Sequence, residues 1–282
     1  MPAIYFSKIT VIESLKTNKT GRRLYEDLKL INIQKGRDID TAYLEAKNKE
    51  EFIAILIQLK QDAEKGKWPI LHIECHGLED KSGISLANGD CIEWAELKPY
   101  FTALNVATEC NLLVVMAACY GGYMVELVQP IGRAPFLAMI SLTKEILPEE
   151  ILTPLTAFYT ELLTSLSLDN AIRELISYQI TDGGYYYKTA FDIFKSVYAG
   201  YLESKSNPKA IKSRAKSIYL ELKKSGIALP GGIGAIKKTL NLSQPIFFKK
   251  FYTDFFMTYL YPDNETHFNI KYSDVQKLAN VS

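Results

Sequence analysis

The chain has 282 residues, 48% of them hydrophobic and 23% charged, with a formal net charge of +1. That balance supports a sizeable core, which excludes wholesale disorder, and the near-zero net charge excludes a polyelectrolyte binder along the whole length. Four cysteines make no small-domain disulfide framework, so a reducing, cytoplasmic setting is expected, and no apolar run reaches the roughly 18 residues of a membrane span.

The first two-thirds alternates strand and helix signals. Residues 3–15 are rich in β-branched and aromatic side chains and read as a strand, not as a leader segment. After a polar loop, Thr20-Gly21 opens an amphipathic stretch with Leu24, Tyr25, Leu28 and Leu30 at helical spacing. A short strand is expected over 38–46. Asn48, with Glu51 three residues on, is a capping signal for a helix through Phe52, Ile55, Leu56 and Leu59. Pro69 begins the continuous apolar run PILHIEC, as expected of a buried parallel strand. Asn88-Gly89 between short alternating runs signals a hairpin. A helix over 95–104, strands over 111–119 and 134–142, and helices over 154–166 and 168–178 complete the series. This order predicts an α/β fold with a mostly parallel sheet flanked by helices on both faces.

The last third differs, and a boundary is expected between residues 182 and 183. Beyond it the sequence reads as mainly helical, with aromatic stripes in YYYKTAFDIFKSVYAGYL and PIFFKKFYTDFFMTYLY. From Lys188 to Lys250 there are thirteen lysines and arginines against three acids, so this basic C-terminal helical extension carries about +10 within a chain of net +1. GGIGAIKK lacks the phosphate-loop pattern and reads as a turn before a helix.

Two strand ends carry chemistry. PILHIEC runs into His76-Gly77, and NLLVVMAAC ends in Cys119 before Tyr120-Gly121-Gly122. A thiol acts as a nucleophile near neutral pH when a base or cation favours its thiolate, and a histidine can also protonate a leaving amine. Neighbouring strands would bring these ends within about 5 Å, and the Gly77 and Cys119 N–H groups could then hold an oxyanion. Cys75, Cys91 and Cys110 read as core residues. His72 reads as a hydrogen-bonded core histidine. A metal site from His72, Glu74 and His76 is not expected, because in-line ligands on one strand diverge. Glu13, at the end of the first strand, and Glu145, after the strand over 134–142, are candidates for favouring a basic substrate residue.

HIECHG and VVMAACYGG resemble the two catalytic blocks of caspase-like cysteine peptidases, in particular the bacterial CHAT branch. APFLAMISLTKEI resembles the next strand of that family, and LTAFYTELLTSLSLDNAIREL its closing helix pair. The resemblance spans roughly residues 3–180 and implies a caspase-like sheet, with His76 as general base and acid, Cys119 as nucleophile and Gly77 as an oxyanion donor. It further implies hydrolysis of a protein substrate through an acyl-enzyme without metal or cofactor. By analogy it suggests a bacterial antiphage or cell-death setting, with a pore-forming or toxin-like substrate. Two positions depart from the pattern. A glutamine two before the cysteine helps caspases read aspartate; here it is Ala117, so that selectivity is not expected. SLTKEI lacks the G-T-x-W pattern of the CHAT branch, so the substrate side of the pocket is expected to differ.

Two other functions compete with peptidase activity. One is a catalytically silent scaffold of the same fold, against which the retention of both His76 and Cys119 argues. The other is a nucleic-acid or signal-nucleotide binder working through the basic helices. Their lysines are interleaved with apolar residues at helical spacing, which favours packed helices, or a docking surface for a regulatory protein partner, over a nucleic-acid site or an anionic membrane surface.

Overall fold

The computed structural model describes residues 4–128, 132–145, 148–178 and 184–279. Ala3, where the first strand is expected to start, and the expected boundary at 182/183 lie outside the described residues. The chain divides into two compact units, Met1–Ala190 and Phe191–Ser282.

The first unit is built on a six-stranded sheet in the order β2-β1-β3-β7-β8-β9. Its strands are β1 (Lys8–Glu13), β2 (Asp40–Glu45), β3 (Pro69–Glu74), β7 (Leu113–Ala117), β8 (Ala138–Leu142) and β9 (Tyr185–Thr189). The first five are parallel and β9 is antiparallel to β8. The strands β3, β7 and β8 are buried at every residue, as their continuous apolar runs require of a sheet covered on both faces.

The connections place the helices. From β1, α1 (Thr20–Gln34) leads to β2 on one side; α2 (Lys49–Ala63) then crosses back over β1 to β3, and α3 (Trp94–Ala107) continues in that direction to β7. Right-handed crossovers running in opposite directions put α1 on one face and α2 and α3 on the other. The helices α4 (Pro148–Ser165) and α5 (Leu168–Ser177) pack together, and α4 joins α1 on its face. The capping signal before α2 is real: the Asn48 side chain accepts from the Glu51 N–H at 2.8 Å, and Glu51 accepts from the Lys47 N–H at 2.8 Å.

Three elements differ from the sequence expectation. Tyr185-Tyr186-Tyr187, expected as helix, forms the edge strand β9. Aromatic residues suit a half-buried pleated edge as well as a helix stripe, and pairing with β8 decides between them. The helix expected from Pro154 starts at Pro148, so Pro154 lies inside α4. Cys91, expected in the core, is exposed. It opens β6 (Cys91–Glu93), where alternation buries Ile92 and turns both its neighbours outward.

A small antiparallel sheet, β4 (His76–Gly77), β5 (Gly83–Ser85) and β6, sits between β3 and α3 in sequence. Asn88-Gly89 turns the β5–β6 hairpin, with Gly89 at φ 98°.

The second unit is helical and cored by rings. In α6 (Ala190–Lys205), Phe194 packs against Phe248, Tyr252 and Phe255 of α9 (Gln244–Phe255), with ring centroids 5.2–6.1 Å apart. Two further helices, α7 (Pro208–Lys224) and α8 (Gly232–Leu242), form a hairpin with a cluster of their own around Ile211, Ala215, Ile236 and Leu240. Among the described residues no helix is long and apolar enough to cross a membrane.

Candidate active site at the carboxyl edge of the sheet

The strands β3 and β7 are parallel neighbours, with Glu74 opposite Ala117. His76 and Cys119 each lie two residues beyond that last paired position, so the register brings the two reactive strand ends together. The approach is close: a Cβ on Gly77 would stand 1.7 Å from the Cys119 carbonyl oxygen and 3.5 Å from its Cα. Only glycine lets these two backbones meet.

The backbone of Gly77 also has a defined direction. Leu78 N–H donates to the Gly83 carbonyl at 3.1 Å, and Gly77 is the next residue in that register, opposite Ile84. Bonded and non-bonded pairs alternate in an antiparallel ladder, so the Gly77 N–H is directed away from β5. His76 is exposed and Cys119 half-buried, so both residues reach solvent.

Beyond Cys119 the chain turns sharply. Tyr120 adopts φ 57°, the left-handed region, and Gly121 N–H donates to the Ala118 carbonyl at 3.0 Å. A tyrosine in that conformation stores local strain, a feature that clusters at functional turns. The Lys81 ammonium stands 5.3 Å from the Tyr120 ring and 5.1 Å from the Tyr123 ring. Lys81 is itself fixed in place, with its carbonyl accepting from the Trp94 indole N–H at 2.8 Å and its N–H donating to Leu78 at 2.9 Å. Glu145 is exposed, and the Tyr120 hydroxyl donates to it at 3.4 Å. Burial first, then the Glu145 charge, raises the Tyr120 phenol above its ordinary pKa, so it stays protonated and can donate.

The remaining substrate candidates lie inside. Ala117 is 5% exposed at the end of β7. Glu13 is 1% exposed, and it faces α1 and Tyr43, away from solvent. Its Oε1 accepts from the Gly21 N–H at 2.9 Å and its Oε2 from the Tyr43 hydroxyl at 2.5 Å. Desolvation holds its carboxyl above the ordinary range, partly offset by those two bonds.

Glu13 belongs to a buried polar cluster under the start of α1. Glu74 accepts from the Thr20 hydroxyl at 2.9 Å and pairs with His72 Nε2 at 3.0 Å. His72 Nδ1 pairs with the Tyr159 hydroxyl at 3.0 Å. Both His72 nitrogens are thus taken. A Cβ on Gly21 would stand 2.9 Å from Glu74 Cγ and 3.2 Å from Glu13 Oε1, so glycine lets the helix N-terminus rest on two carboxylates.

The four thiols sort by environment. Burial pushes Cys75 up and Cys110 up to about 12, which keeps both protonated and inert. Cys119 is half-buried two residues beyond the end of β7, with its carbonyl against Gly77.

Sequence reasoning did not find Lys81, Tyr123 or the Glu74–His72–Tyr159 chain. The turn residues of EDKSG mark a loop around Lys81, but nothing local shows that it folds back to Tyr120. No protein-family model and no curated protein matches the sequence.

Proposed function

We propose that the protein is a cysteine endopeptidase of the caspase-like, CHAT-related kind, working through a Cys119–His76 dyad. The observation that carries this reading is the fit of Gly77 against the Cys119 carbonyl, which joins a histidine and a thiol at neighbouring strand ends.

In the proposed reaction, His76 takes the Cys119 proton as Sγ attacks the scissile carbonyl carbon. The resulting oxyanion accepts a hydrogen bond from the Gly77 N–H. Collapse breaks the C–N bond, and His76 passes its proton to the leaving amine. Water, deprotonated by His76, then attacks the thioester, which releases the carboxylic acid and returns the proton to Cys119. Of the residues considered for substrate contact, Glu145 is the exposed one and fits a basic substrate side chain better than the buried Glu13 and Ala117.

Intact-mass labelling with peptidyl acyloxymethyl ketones that differ at P1 tests this. One adduct in the wild type, absent in Cys119→Ala and varying with P1, is the expected result. An adduct that persists in Cys119→Ala, or no adduct with any probe alongside no cleavage of unfolded protein substrates, overturns it.

A further inference from the structure

The α7–α8 hairpin ends in an apolar loop that its own packing does not use. Its cluster is complete inside the hairpin, where Ile211, Ala215, Ile236 and Leu240 are buried and Ile218, Tyr219, Leu222 and Ile233 pack against them. The connecting loop, Gly226-Ile227-Ala228-Leu229-Pro230-Gly231, is exposed at every residue. Ile227 is 54% and Leu229 37% exposed. The loop is nevertheless pinned. Ile227 N–H donates to the Leu222 carbonyl at 2.9 Å and Gly232 N–H to Leu229 at 3.1 Å, while Gly226 and Gly231 take the positive φ angles that close it. The bonds hold apolar side chains in water, which is unfavourable unless something covers them.

Charge surrounds this tip. Lys223 and Lys224 end α7, and Lys237 and Lys238 lie in the second turn of α8. At 1.5 Å rise per residue all four are within about 10 Å of the loop along their helices. Residues 208–242 hold eight lysines and arginines and one acid, Glu221.

We propose that this tip seats in an anionic lipid surface. Ile227, Leu229 and Pro230 enter the boundary between headgroups and acyl chains, and the four lysines stay at the level of the lipid phosphates. A convex apolar tip inside a basic collar is complementary to that layered surface. A nucleic acid would engage the lysines but give Ile227 and Leu229 nothing apolar to contact.

The test is flotation of the full chain with phosphatidylcholine vesicles, with and without about 30% phosphatidylserine, at low and physiological salt. Binding is expected on the anionic vesicles and not on the neutral ones. Ile227→Ser with Leu229→Ser should weaken it about tenfold or more, and Lys223→Glu with Lys224→Glu should weaken it at least as much. These residues are exposed, so far-ultraviolet circular dichroism and melting temperature should not change. Three results would overturn the proposal: no binding to anionic vesicles at low salt; a tip variant that binds them as tightly as the wild type; or a wild-type dimer in solution that the tip variant renders monomeric, which would make a second copy the occupant.

Discussion

Between β1 and β3 the carboxyl edge of the sheet is closed, and between β3 and β7, one strand over, it is open. The closed side is the point where the crossovers reverse direction, where open α/β sheets ordinarily form their ligand crevice. Here Glu13, Ser14 and Glu74 fill that place at 1–2% exposure. Thr20, Gly21 and Tyr43 satisfy the two carboxylates, and Ser14 donates to the Ala46 carbonyl at 2.5 Å while accepting from the Ala87 N–H at 2.9 Å. On the open side His76 and Cys119 reach solvent beside a strained tyrosine turn. Titratable groups of similar kinds thus meet opposite environments. Where every polar atom has a partner the cluster holds the fold, and where side chains remain accessible they are free for chemistry.

The contrast can be broken most directly from the open side. Cys119→Ala and His76→Ala should each lower peptidase turnover about 1,000-fold or more, by the scale of other nucleophile–base pairs. Each should leave the unfolding free energy within about 0.5 kcal/mol of wild type. Turnover retained in Cys119→Ala would remove the open edge from the chemistry.

The closed side should respond in stability. Glu74→Ala leaves the Thr20 hydroxyl and His72 Nε2 without their partner, and a loss of about 1–3 kcal/mol for each orphaned group is expected in urea unfolding. A loss no larger than that of a surface substitution would show that the cluster is not structural. Tyr159→Phe removes only the hydroxyl partner of His72 Nδ1 and should cost about 1–3 kcal/mol.

The smallest effect is on pH dependence. Because burial raises the native Glu13 carboxyl, the folded protein keeps a proton that the unfolded chain has already lost. Glu13 therefore contributes stability that is present below the ordinary carboxylate value and is lost as pH rises through the raised native value. Stability curves of wild type and Glu13→Gln should diverge across that window, with wild type falling more steeply. Curves that stay parallel there would place the Glu13 carboxyl at its unfolded value.

How much of this was legible in the chain follows from the range of each signal. Periodicity, capping and turn residues act over a few positions. They suffice for the parallel strands, for the Asn48 cap, for the Asn88-Gly89 hairpin and for the glycine turn before α8. A histidine and a thiol, each beside glycine at the end of an apolar strand, are legible as a pair with chemical sense. That Glu74 and Ala117 would stand opposite each other, and that Gly77 would touch the Cys119 carbonyl, is decided by the register of strands some forty residues apart. Register is fixed by burying whole strand faces, not by any local residue preference. The same reason explains Tyr185–Thr189, whose aromatic residues satisfy a helix or a strand until β8 offers its free edge. It also explains Glu13 and Glu74, where composition specifies two acids at strand ends. Only the arrival of α1 over them makes one edge of the sheet a sealed joint and leaves the next as a candidate active site.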